Sequence, residues 1–193
     1  MNLSKFLYLL QHSSLYLPKM SVFDDHLEGG LTANDYLDKT NELAIFDLAI
    51  NGYLPIDKET TEERKKRLAH VELKHQELRA EKFVTPFGSF LKDDVRKIFP
   101  ICREWIYVSC WHLSEFESSA MWQLYGVERN SICIFTTVEK LNNQIAHDES
   151  VDTVKLENVH YLDHATAKFS SDPLKPFTSK ALPFSFEKEL RII

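Results

Sequence analysis

Three charged residues near the end of the chain, Glu187, Glu189 and Arg191, stand two positions apart in the run FEKELRI. On a β-strand that spacing puts their side chains on one face, because successive residues alternate across the pleat. Two carboxylates sharing a face can divide acid–base work. One takes a nucleophile's proton or a developing positive charge while the other orients a substrate hydroxyl. Burying both requires a cation, and Arg191 is the partner the spacing offers. A solvated edge strand with a ladder of charges is the plainer reading of the same residues.

Other clusters invite chemistry less directly. Asp24, Asp25 and Glu28, with His26 among them, could hold a hard metal ion or shape a substrate loop, but Gly29-Gly30 alongside equally suits a polar turn with Asx-type bonds. His160 and His164, flanking Asp163, have the i,i+4 spacing of a helical metal pair. The β-branched residues around them favour strand and turn instead, so solvated histidines are expected. Cys110-Trp111-His112 sets a thiol near an imidazole, yet neighbours one and two apart on a strand do not meet productively. Cys110 is therefore expected to pack as a small apolar residue.

The elements that must position these groups follow from periodicity. Leu3, Phe6, Leu7 and Leu10 recur at helical spacing behind Asn2 or Ser4, and Leu15 to Leu17 before Pro18 reads as a short strand. Thr32 to Ile50 reads as one helix, capped by Thr32 with Asp35 and closed by Asn51-Gly52. A charged helix over 61–82 begins at a Thr60-x-x-Glu63 capping box. Its apolar stripe, Leu68, Val71 and Leu78, is thin enough that it is expected to lie along the domain or recruit a protein partner.

After a TPFG turn, Phe90, Val95 and Ile98 hint at a short helix. Trp105 to Trp111 and Ser131 to Thr137 read as central strands. Between them Ser114 and Glu117 form a second capping box, with Phe116, Ala120, Met121 and Leu124 on one helical face and Gly126 as a left-handed cap. Val151 to Asp163 suits one or two strands, Ala165 to Pro183 an irregular loop, and Phe184 to Ile193 a final strand. Because Ile193 falls within that strand, truncation there is an expectation too.

The whole is expected to be a single α+β domain over 1–193, with a central mixed or antiparallel sheet and flanking helices. A helical insert, about 32–101, separates the second strand from the Trp105–Trp111 strand. A chain of 193 residues, 44% apolar and 12% aromatic, can bury a full core. Its formal charge of -6 gives no general reason to expect nucleic-acid or anionic-membrane binding. No stretch is apolar enough to span a bilayer or resembles a signal peptide. Three widely spaced cysteines suit reduced thiols in a cytoplasmic protein, and no structural metal is expected.

Three separated stretches agree in order with one known family. LYLPKMSVFDDHLEG, YVSCWHLSEFESSAMWQLYGVERNSICIFTT and FEKELRI resemble the signatures of the bacterial family of unknown function DUF2971. Those signatures are an F-N-D-P-F-E-G-like loop, a Cys-Phe-Ser strand end followed by an M-W-x-x-Y-G helix, and a closing E-x-E-x-R. This chain departs from them at Asp24, at His26 and at Trp111-His112, and it lacks the usual first strand with its Tyr-Arg pair.

The order of strands and the late E-x-E is also similar to ADP-ribosyltransferase folds. That likeness implies NAD as a substrate, with Glu189 polarising the ribose hydroxyl and Glu187 positioning the acceptor. It also implies substrate contacts from Arg191, Tyr16, Asp24 and Asp25, with Tyr16, Trp122 or Tyr125 stacking on nicotinamide. The alternatives are a metal-dependent hydrolase or nuclease using Asp24, Asp25, Glu28, Glu187 and Glu189, and a non-catalytic protein-interaction module.

Overall fold

The computed structural model describes residues 1–126, 130–145, 154–169 and 171–193, and the chain adopts an α+β fold. Helix α1 (Leu3–His12) is capped by Asn2, whose side chain accepts from Lys5 N at 3.0 Å. Ser13 then turns left-handed at φ 49° and ends it. Leu15 to Leu17 does not become a strand. Pro18 has no N–H to give a ladder, and pairing there shrinks to a single Lys19–Tyr107 bridge.

The single helix expected over Thr32 to Ile50 is two. Helix α2 (Ala33–Lys39), with Thr32 as its cap, stops at Thr40, and α3 (Glu42–Tyr53) starts behind Asn41 and runs through Gly52. Thr and Asn compete for backbone hydrogen bonds. Here Asn41 has turned its amide to the Leu78 carbonyl instead. Helix α4 (Thr61–Ala80) carries the foreseen capping box, with Thr60 N donating to Glu63 Oε2 at 2.9 Å. It packs against α3, burying Val71 on Gly52.

A Cβ at Gly52 would lie 2.8 Å from Val71 Cγ2. Alanine ordinarily stabilises a helix interior by roughly 1 kcal/mol over glycine. At this position overpacking reverses the sign, so Gly52→Ala is expected to lose about 1–3 kcal/mol in thermal unfolding.

The insert is not wholly helical. Strands β1 (Lys82–Thr85) and β2 (Gly88–Leu91) form an antiparallel hairpin around the TPFG turn, which places Phe90 on a strand. Helix α5 (Val95–Trp105) follows. Phe83 stacks on Phe99 at 5.8 Å and Phe99 on Phe177 at 6.0 Å, a column joining hairpin, helix and C-terminal region. Met20, Val95, Cys102, Ile106 and Val108 complete the buried core.

Trp105 belongs to α5 rather than to a strand. Ile106 to Val108 keep the expected alternation, but only β3 (Ser109–His112) joins a sheet. Ser114 accepts from Phe116 N in a local turn, leaving Ser118 to cap α6 (Ser119–Tyr125) by accepting from Met121 N. The Ser114–Glu117 box is thus replaced by a hydroxyl four residues on, and Phe116 is exposed. Gly126 caps α6 at φ -106°, not left-handed.

Ser131 to Thr137 forms no strand beyond an Asn2–Ser131 bridge, because among the described residues its β-branched run meets no neighbouring strand. Helix α7 (Val138–Gln144) follows it. The first three residues of the expected strand region, 151–153, lie outside the described residues, as does Val127 to Arg129. Beyond them come β4 (Leu156–Asn158) and β5 (His160–Leu162).

The segment read as an irregular loop contains a 3-10 turn, Lys175–Thr178, and strand β6 (Ser179–Ala181), which pairs parallel to β5. The expected last strand begins five residues late. Pro183 starts a 3-10 helix, Leu182–Glu187, and Lys188 turns left-handed at φ 43° before β7 (Glu189–Ile192).

Strand β7 lies between β3 and β4, antiparallel to both, and all four of its residues are buried. It is therefore central, and β3 is an edge of this three-stranded sheet, contrary to the sequence reading of each. Among the described residues, no helix is long and apolar enough to cross a membrane.

Candidate functional site

Strand β7 brings Glu189 and Arg191 to one face, as their spacing requires, and buries both. Arg191 is fully buried, at 0% exposure, and each nitrogen of its guanidinium donates a hydrogen bond. Nε donates to Glu189 Oε1 at 2.6 Å, Nη1 to the Phe177 carbonyl at 3.0 Å, and Nη2 to Glu28.

Lys180, on β6, is the second cation. Its Nζ lies 2.5 Å from Glu187 Oε2, 3.2 Å from Glu28 Oε1 and 3.5 Å from Glu189 Oε2. The ring of Phe184 lies 4.9 Å from the same ammonium and covers it. Three carboxylates thus share two cations in the interior.

Glu187 reaches this network from the end of the 3-10 helix, not from the strand. The left-handed Lys188 redirects the chain, so the two glutamates converge by a turn rather than by strand alternation. Its other oxygen accepts from the Tyr125 hydroxyl at 2.7 Å, and its carbonyl from His112 Nδ1 at 2.5 Å. Tyr161 accepts from Glu189 N at 2.8 Å. The solvated charge ladder is overturned: every charged group here is enclosed and paired.

Electrostatics follow from this enclosure. Burial alone raises the Glu189 carboxyl, but the hydrogen bond and charge of Arg191, the Cys110 thiol and Lys180 outweigh it and hold Glu189 below the ordinary carboxylate value. Burial likewise opposes the charge on Lys180, and Glu187, Glu28 and Glu189 more than offset it, so its ammonium is raised. The Cys110 thiol is pushed up by burial and by Glu189. Cys110 is open to solvent on its outer side while its thiol faces the network, so it is not enclosed like a core residue. Tyr125 is similar: its residue is 60% exposed, yet its hydroxyl points inward, where burial and Glu187 raise its pKa.

Not every expected residue arrives. Tyr16 is exposed beneath the Lys5 ammonium, and Asp24 is exposed. Asp25 accepts from Leu27 N at 2.8 Å in an Asx turn. Trp122 is on α6 with part of its ring exposed. Among the described residues, no hydrogen bond or ion pair ties Tyr16, Asp24 or Trp122 to the network.

Glu28 is the member of the acidic loop that does join. Lys180 had no signal at all, since a lysine between Ser179 and Ala181 reads as surface. Of the two histidines read as solvated, His160 is exposed, with Nε2 2.8 Å from Lys175 Nζ. His164 is buried, and among the described residues neither of its ring nitrogens has a partner. Among the described residues, no group of three His, Cys, Asp or Glu is placed to hold a metal ion, and Lys180 and Arg191 already neutralise the clustered carboxylates.

No family model, curated protein or solved structure matches this chain.

Proposed function

We propose that the buried network is the site of an NAD-utilising, ADP-ribosyltransferase-like enzyme of the bacterial defence or toxin type. The observation that carries this reading is the geometry of Glu189, buried, bonded to Arg191 and set beside Glu187 through the Lys180 ammonium they share. The late E-x-E and its likeness to the ADP-ribosyltransferase layout support it; the resemblance to DUF2971 carries no activity of its own.

In this reading the bond between ribose C1′ and the nicotinamide nitrogen breaks, and its electron pair leaves with neutral nicotinamide. The ionised Glu189 stabilises the cationic, oxocarbenium-like ribose that remains. An acceptor nucleophile, or water, then forms a bond to C1′ and gives its proton to Glu187. Tyr125, whose hydroxyl occupies Glu187 and whose ring is open to solvent, is the residue that substrate displaces. Trp122 and Tyr125 offer aromatic faces to nicotinamide.

Nicotinamide release from NAD by the purified chain tests this. Glu189→Gln keeps the shape and removes the charge, and is expected to lower turnover about 10²–10³-fold. No release by the unaltered protein, or undiminished release by the variant, would sink the proposal.

A second reading, a non-catalytic interaction module, draws on α3. Leu43, Phe46, Ile50 and Leu54 form an exposed apolar row beside the charged helix α4, and Phe46 is 64% exposed. A tight complex in pull-down, together with an absence of NAD turnover, would favour it.

A further inference from the structure

Arg103, in the last turn of α5, is buried, yet among the described residues it forms no ion pair with a carboxylate. Its Nη2 instead donates to three main-chain carbonyls of one loop: Met20 at 3.3 Å, Phe23 at 3.0 Å and Asp25 at 3.3 Å. Nη1 lies 3.4 Å from His26 Nδ1. The loop is shaped around the guanidinium.

Where the loop leaves Arg103, Leu27 N donates to Asp25 Oδ1, Gly29 turns at φ 77°, and Gly29 N donates to the Pro176 carbonyl at 2.9 Å. A Cβ at Gly29 would stand 2.9 Å from both Arg103 Cγ and Met20 Sδ, so loop and side chain are in close contact. Between those anchors is Glu28, whose carboxylate bridges Lys180 and Arg191.

A buried guanidinium is costly to dehydrate, and an apolar residue would fill the space with less penalty. What an apolar residue cannot do is gather three carbonyls of an irregular loop onto one planar group. We infer that Arg103 is a positioning residue for the network and acts through Glu28. It holds the 20–28 loop so that Glu28 takes a share of both cations, which sets how strongly Lys180 and Arg191 bear on Glu187 and Glu189. As a statement about turnover this rests on the NAD-utilising reading above. As a statement about the loop it does not.

The test is a double-mutant cycle on the full chain with NAD, using Arg103→Lys, Glu28→Gln and both together. Arg103→Lys keeps the charge and loses the fork. It is expected to lower kcat about tenfold with KM changed less than about twofold, because geometry and not binding is disturbed. In the Glu28→Gln background it is expected to add less than about a twofold loss. Additive losses would overturn the inference.

Amide hydrogen exchange is read in parallel. In Arg103→Lys, Leu27, Gly29 and Gly30 are expected to exchange faster while α4 and β7 are unchanged. Faster exchange throughout would mark a merely structural role, and unchanged exchange at those three amides would also overturn the inference. If the unaltered chain releases no nicotinamide, the enzymatic reading fails, and exchange alone decides the role of Arg103. If Arg103→Lys does not fold, Arg103→Gln, which keeps a planar donor but loses the fork and the charge, takes its place in both arms with the same expectations.

Discussion

Arg191→Met is expected to lower unfolding stability by about 3–5 kcal/mol, measured by urea titration. Methionine fills most of the space the arginine stem occupied, so little of that loss comes from a cavity. It comes from Glu189 and Glu28, which lose a guanidinium bonded to both while remaining buried. Lys180 alone then faces three carboxylates. Arg96, whose pair with Glu42 is open to water on both sides, provides the control: Arg96→Met is expected to cost no more than about 1 kcal/mol. A cost at Arg191 as small as that at Arg96 would mean the buried charges are reached by solvent, and the enclosed network would have to be abandoned.

Acid is expected to act on the same network. The Glu189 carboxyl is held below its ordinary value in the fold, so the unfolded chain binds its proton first. Stability from that pairing is therefore fully present above the unfolded carboxylate range, near pH 4 to 5, and is lost as pH falls through the lower folded value. Lys180 has the opposite sign. Its ammonium is raised, so its contribution is complete below the ordinary lysine value and is lost only as pH rises past it. The melting temperature is expected to hold across neutral pH and to fall steeply on the acid side. Because the network is buried, 0.5 M salt is expected to change that profile little, whereas surface pairs such as Lys168–Asp38 are screened. A Glu189→Gln profile as acid-sensitive as the original would assign the acid limb to other groups.

What could be read from the chain beforehand divides along physical lines. Capping and spacing are local, so α4 with its Thr60–Glu63 box and the start of α2 at Thr32 were legible. The common face of Glu189 and Arg191, and their pairing, followed from the two-residue period.

Pairing partners are not local. The β-branched run at 131–137 has all the propensity of a strand and, among the described residues, no strand beside it, while Lys82 to Leu91, with little alternation, closes into a hairpin. Lys180 was invisible because its burial depends on three carboxylates arriving from Glu28, Glu187 and Glu189, none within six positions in the chain. The break at Thr40-Asn41 was hidden for a related reason: the Asn41 amide is satisfied by Leu78, on a different helix.

The bond between Arg191 and Glu28 joins positions 163 residues apart. The α3–α4 pair and the β1–β2 hairpin close short loops and can form early, but this bond waits for nearly the whole chain. Its charges therefore keep their water through most of folding and shed it in a late step. The stability lost in Arg191→Met is then expected to emerge in stopped-flow measurements as faster unfolding, with the refolding rate nearly unchanged. The network serves less as a nucleus than as a clasp: it governs how long the folded chain lasts rather than how quickly it is made.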